Sequence, residues 1–165
     1  MTESRRTAIL RRMLAIRAMT AADVPASFAV RLATRENAVT LEVLRDDYGV
    51  TPEAMAEALN AAAVAGWVAE AAGQVVGFAM GARRSGEVLV VAVHPDHEGK
   101  GAGKRLLAAV VDWLSALGCD PIWLKANPDP EIRATGFYRR LGWRPTGERR
   151  GADVVLTLGR GDTGD

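Results

Sequence analysis

Three strand-like segments, residues 66–71, 75–83 and 87–93, follow one another with only AAGQ and RSGE at the joints. Connections this short leave room for hairpin turns and nothing else, so the three strands must be antiparallel neighbours. The next stretch changes character. HPDHEGKGAGKRLL, residues 94–107, places Gly99, Gly101 and Gly103 at alternate positions, interleaved with Lys100 and followed by Lys104. Glycines so spaced remove side chains and let backbone N–H groups converge on an anion. Leu106, Val110, Trp113 and Leu117 then repeat at helical spacing until Gly118, so a helix starts at the loop and turns its positive end toward the same place. A pyrophosphate-like ligand suits such a loop.

Around this centre the pattern is that of one α+β domain. Residues 14–19 read as a strand, and Thr20 caps a helix reaching about residue 34. Residues 35–49 form a charged helix-and-loop segment, and Thr51-Pro52-Glu53 opens a helix ending near residue 62. Residues 121–126 make a buried strand. Asp129-Pro130-Glu131 caps a helix with Ala134, Phe137, Tyr138 and Leu141 on one face, ended by Gly142. Two last strands, 144–149 and 153–158, meet at a turn around Gly151. A helix crossing from the strand ending at Val93 to the one at Ile122 makes that pair parallel. The expected architecture is therefore a mixed, mostly antiparallel twisted sheet with helices on both faces and one parallel junction at the glycine loop.

The 165 residues fit a single domain over 14–158, with flexible tails at 1–13 and 159–165. A net charge of +1 gives no footing for nucleic acid or an anionic membrane, and no apolar run nears the ~18 residues of a membrane helix. The one cysteine, Cys119, excludes an internal disulfide and is expected as a buried structural thiol in a reducing, cytoplasmic setting. His94 and His97 are expected as loop-surface residues. No metal-ligand spacing and no Ser/Cys–His triad is visible.

Two common phosphate loops fail on spacing. Counting back from Gly103-Lys104, a P-loop would need glycine at Glu98 and a hydroxyl at Arg105. A dinucleotide fingerprint would need its third glycine at Lys104 or Leu106, and the loop follows an antiparallel meander. What the run from Val93 and Pro95 through Glu98-Gly99-Lys100-Gly101-Ala102-Gly103 resembles is the pyrophosphate loop of the GNAT superfamily of N-acetyltransferases, with its strand-end valine, proline and Gln/Arg-x-x-Gly-x-Gly/Ala. Trp67-Val68-Ala69-Glu70, Gly73 and Val76-Gly77-Phe78 look like that family's first hairpin. Gly136-Phe137-Tyr138-Arg139-Arg140-Leu141-Gly142-Trp143 looks like its tyrosine-bearing late helix. The resemblance spans roughly residues 14–158. Two positions depart from it: Glu98 replaces Gln or Arg, and Glu131 stands where an asparagine often precedes the late helix.

The resemblance implies an acetyl-CoA-dependent acyl transfer to a primary amine, by direct attack in a ternary complex. The pantetheine arm would pair with the main chain of Val91, Ala92 and Val93 like an added strand. The pyrophosphate would take amides from Glu98, Gly99, Lys100, Gly101, Ala102, Gly103 and Lys104, with Asn127 as a weak substitute for the missing asparagine. Tyr138 stands at the family's place for the acid that protonates the leaving thiolate. Glu87, opening the strand that ends at Val93, resembles the general-base glutamate of the histone acetyltransferase branch; strict alternation puts it on the face of Leu89, Val91 and Val93. The acceptor is expected to be a small-molecule or peptide amine, cationic, drawn in by Glu36, Asp46 and Asp47. A homodimer is compatible with the fold. A non-catalytic acyl-CoA-binding or regulatory module on the same fold is the alternative, and release of free CoA with an amine separates the two.

Overall fold

The computed structural model describes residues 5, 14–34, 39–129 and 132–158. Apart from Arg5, both expected tails lie outside the described residues, as do Glu36, Pro130 and Glu131. The chain runs β1 (Leu14–Ala18), a short 3-10 turn, α1 (Val24–Ala33), α2 (Leu41–Tyr48), α3 (Pro52–Asn60), β2 (Val64–Ala71), β3 (Gln74–Ala82) and β4 (Val88–Val93). A second short turn leads to α4 (Ala102–Ala116), β5 (Ile122–Ala126), α5 (Arg133–Arg140), β6 (Trp143–Arg150) and β7 (Asp153–Leu158).

The expected meander is present: β1, β2, β3 and β4 form one antiparallel sheet in that order. A second antiparallel sheet has the order β5-β7-β6. One parallel bridge, Glu87 with Trp123, joins the two at the start of β4. There Trp123 N donates to Gly86 O at 3.2 Å, and the Trp123 indole donates to Ser85 O at 2.8 Å. Among the described residues no further main-chain hydrogen bond ties β4 to β5. The two strands part, and the glycine loop lies at the end where they have parted.

Helices cover both faces. Leu106, Leu107, Val110 and Leu114 of α4 pack with Ala79, Val88, Leu124, Leu156 and Trp143 in one core. Val24, Phe28 and Val30 of α1 and Leu44 of α2 pack with Val68, Phe78, Val90 and Ala92 in the other. The heptad-like spacing is met by Leu114 rather than Leu117, which is exposed. Gly81 sets how closely α4 sits: a Cβ there would lie 2.7 Å from Val110 Cγ1. Thr51 caps α3 by accepting from Ala54 N at 3.1 Å, as its sequence predicts. Later, α5 begins at Arg133, with Ile132 at the capping position, not at the Asp129-Pro130-Glu131 run. Its buried polar position is Thr135, whose hydroxyl donates to Asn127 O at 2.8 Å, while Ala134 is exposed. Cys119 is half-buried and its thiol donates to Arg83 O at 3.5 Å, because it follows the helix stop rather than entering β5. No helix among the described residues is long and apolar enough to cross a membrane.

The β3–β4 register holds one surprise. Met80 pairs with Val90 but Gly81 pairs with Val88, so Leu89 is an extra residue on β4. Such a bulge flips the faces on either side of it. Val88 therefore packs in the same core as Val91 and Val93, and Leu89 is turned out with 44% of its surface exposed.

Candidate active site

Where β4 and β5 diverge they leave a cleft of about 200 Å³. Leu89, Val90, Val91 and Ala92 form one side; Lys125, Ala126 and Asn127 form the other. Tyr138, Ile132 and Ala134 close it from α5 and its cap, Arg31 and Thr34 from the end of α1, and Asp153 from the start of β7.

At the end of β4, His94 N donates to Val76 O at 2.7 Å, and the His94 ring accepts from Asp96 N at 3.1 Å, fixing the turn before the loop. Gly99 and Gly101 both have positive φ, 77° and 85°, which side chains with a Cβ rarely adopt. Nothing lies within 4 Å of a Cβ built at either, so the space before the loop is open. Gly101 caps α4, and the first helical bond runs from Arg105 N to Gly101 O at 3.2 Å. The N–H groups of Ala102, Gly103 and Lys104 are the orphan donors of the helix start, with no acceptor among the described residues. They point the positive end of a 15-residue helix at the open space. Glu98 is exposed, and its amide is already engaged with Pro95 O at 3.4 Å. Lys100 Nζ lies 3.3 Å from His97 Nδ1. Burial, then the charges of Lys100 and His94, hold the His97 imidazolium below its ordinary range, which keeps the ring neutral beside the lysine.

Tyr138 is 9% exposed, with its ring edge-on to Phe137 at 5.3 Å and to Trp143 at 6.2 Å. Its hydroxyl makes no hydrogen bond among the described residues, yet it is not sealed from the cleft it lines. Burial pushes its pKa up to about 12. Asn127 Oδ1 accepts from Asp129 N at 2.9 Å, which leaves its amide NH₂ for the cleft.

The acidic residues fall elsewhere. Glu87 does not line the cleft; it sits behind Lys125, with Oε1 3.7 Å from Lys125 Nζ and its side chain 13% exposed. The bulge at Leu89 is the reason: across it, Glu87 no longer shares a face with Val91 and Val93. Asp46 is exposed and neutralised by Arg45 at 2.8 Å, Asp47 is exposed, and neither lines the cleft. Helix α2 turns Leu44 into the core, which directs these carboxylates to solvent. Glu36 lies outside the described residues. Sequence reasoning missed Arg31, Leu89, Lys125 and Asp153. The last two sit on β5 and β7, and only the Lys125–Val155 register places them on one wall. No cluster of metal-ligating side chains occurs among the described residues.

Comparison with known proteins gives the same architecture. Residues 32–143 match the family model described as Acetyltransferase (GNAT) family. A mycothiol acetyltransferase from Pseudarthrobacter chlorophenolicus is 41% identical over 58 residues, which is 35% of this chain and 18% of that protein's length. The crystal structure of PaiA N-acetyltransferase from Thermoplasma acidophilum in complex with coenzyme A superposes with a TM-score of 0.76 at 17% identity, covering 89% of this chain and 99% of that one. YncA of Salmonella typhimurium, a putative acetyltransferase solved with acetyl-CoA, gives 0.63 at 23% identity, covering 88% and 91%. At such identities the two structures are likenesses of fold. The family match takes in the meander, the glycine loop and the tyrosine helix together, and on that match this chain belongs to the GNAT acetyltransferase family.

Proposed function

We propose that the protein transfers an acetyl group from acetyl-CoA to a primary amine, by direct attack within a ternary complex. One observation carries this reading: the hydroxyl of the buried Tyr138, without a hydrogen-bond partner among the described residues, opens into a cleft between two parted parallel strands. The residues present fit the co-substrate. The orphan amides of the segment from Gly99 to Lys104 and the open space before Gly99 and Gly101 suit a pyrophosphate. The main chain of Val91, Ala92 and Val93, unpaired toward β5, suits the amides of a pantetheine arm, with Asn127 and Tyr138 opposite. When bound, acetyl-CoA supplies an activated acetyl group as a thioester.

Tyr138 holds its proton at every physiological pH and donates it toward the sulfur as charge develops there. A gap between a tyrosine near 12 and a free thiol near 8.5 would cost about 5 kcal/mol in water. The apolar wall that raises one raises the other, so the gap narrows inside the cleft. The attacking amine is a cation in water and has to lose its proton. Among the described residues the carboxylate lining the cleft is Asp153, which takes that proton directly or through water, and Glu87 stands behind Lys125.

The test is thiol release from acetyl-CoA over a panel of amines, with Tyr138→Phe beside the parent. The variant keeps the ring packing, so kcat should fall by about 10²-fold with the Kd for CoA nearly unchanged. Turnover at the parent rate would leave Tyr138 as core only. Tight CoA binding without thiol release from any amine would favour a non-catalytic acyl-CoA-binding module.

A further inference from the structure

Lysine is scarce in this chain, and its placement is uneven. Of the 21 lysine and arginine side chains only three are lysines: Lys100, Lys104 and Lys125. Arginine keeps its proton in proteins, so these three are the side-chain amines able to take an acetyl group. Lys100 and Lys104 are exposed at the glycine loop, where the pyrophosphate end of the co-substrate would lie. Lys125 stands apart from them on β5 and lines the cleft together with Tyr138. Its ammonium pairs with Glu87 at 3.7 Å. Glu87 in turn is fixed at the single parallel bridge to Trp123, and its N–H donates to Ser85 Oγ at 3.3 Å. Arginine makes ion pairs equally well, and Asp23, Asp46 and Glu148 are all paired with arginines: Arg17, Arg45 and Arg150. The cation that can be acylated is the one placed in the cleft.

Resting on the acetyl-transfer reading, we propose that Lys125 is a self-acetylation site: with acetyl-CoA bound and no acceptor present, its Nζ takes the acetyl group within the same molecule. The Lys125 ammonium first gives a proton to Glu87, its partner at 3.7 Å. The free amine attacks the thioester carbonyl, the N–C bond forms and the C–S bond breaks. Tyr138, on the same cleft, gives its proton to the departing thiolate. The proton that the acylated nitrogen sheds returns through water to Tyr138, and Glu87 releases its own to solvent. The products are an N-acetyl-lysine, free CoA and one proton. The four-carbon stem of lysine is flexible enough to swing Nζ from Glu87 into the cleft. Tethering also makes the step intramolecular, so no second substrate has to be bound and oriented. Acetyl-Lys125 is uncharged, so the ion pair with Glu87 is lost, and the added group takes up room in a cleft of about 200 Å³.

The experiment incubates the purified protein with acetyl-CoA and no amine, and follows acetylation by intact mass and by mapping of the modified peptides. Lys125 is expected to gain its acetyl group at least about 10-fold faster than Lys100 and Lys104, whose exposed amines report the uncatalysed reaction. The rate should not change with protein concentration, as befits a step within one molecule. Tyr138→Phe should slow it by about 10²-fold with CoA still bound in calorimetry, and Glu87→Gln by about 10-fold. Lys125→Arg should leave only the slow reaction of the loop lysines. Thermal unfolding of each variant checks that the fold is kept. Equal rates at the three lysines, a Lys125 rate that rises with protein concentration, or one that a folded Tyr138→Phe variant leaves unchanged overturns the proposal. A protein that acetylates an added amine while Lys125 stays unmodified also overturns it, and leaves acetyl transfer standing. One that acetylates neither Lys125 nor any amine overturns both.

Discussion

Lys125 stands between Glu87 and the cleft, its ammonium 3.7 Å from Glu87 Oε1 and its side chain three times as exposed, 41% against 13%. The pair sets the charge on this side of the cleft: the ammonium of Lys125 faces the cleft and the carboxylate of Glu87 backs it. If so, Glu87→Gln should lower kcat by less than about 5-fold and leave the acidic limb of the pH–rate profile in place. Disappearance of that limb would return Glu87 to the role of base, reached through water.

Gly103 separates the needs of the fold from those of the ligand. Its φ is not in the left-handed region, and a Cβ there would make ordinary contacts, 3.5 Å to Phe137 Cζ and 3.7 Å to Val93 Cγ2. Alanine is also the better helix former, by up to about 1 kcal/mol. Gly103→Ala should therefore melt at the same temperature or higher and keep its affinity for CoA within about 3-fold, because the methyl meets Phe137 and Val93 rather than the open space, whereas Gly101→Val, at a positive φ and facing that space, should bind CoA at least about 10-fold more weakly. Unchanged affinity of a folded Gly101→Val variant in calorimetry would move the phosphate site off this loop.

Arg17 and Asp23 pin the end of β1 to the start of α1. Two bonds of 2.8 and 2.7 Å join them, Thr20 N donates to Asp23 Oδ2 at 2.8 Å, and Glu70 takes a further bond from Arg17 at 2.8 Å. The Arg17 guanidinium, aided by the Thr20 amide, pulls the Asp23 pKa from 3.8 down to about 2 against its burial. A depressed carboxylate contributes stability that is complete above its unfolded pKa and lost as pH falls through the folded one. At pH 7 Asp23→Asn should cost about 2 kcal/mol, and the difference should shrink from about pH 4 downward and be nearly gone at pH 2. Urea unfolding at several pH values measures it; a penalty that does not change with pH would mean that shape, not charge, is what Asp23 supplies.

Much of this protein is written in short-range pattern. The meander follows from two tight turns, α3 from Thr51 and Pro52, and the left-handed cap of α4 from Gly101, because each depends on contacts a few residues apart. The tyrosine at 138 and the glycine loop were legible for the same reason: each belongs to a local run whose geometry is its own. The sign and contents of the cleft were not. Leu89 reads as one more alternating strand residue, and only its pairing against Met80 and Gly81 makes it the bulge that turns Glu87 away from Val91. Arg31, Lys125, Asp153 and Tyr138 come from four elements spread over most of the chain, and no spacing links them. They meet because β4 and β5 share one bridge and then part, which is decided by how α4, α5 and two antiparallel sheets pack around that gap. Packing of distant surfaces is a sum over the whole core, and a linear pattern carries only the terms that are near in sequence.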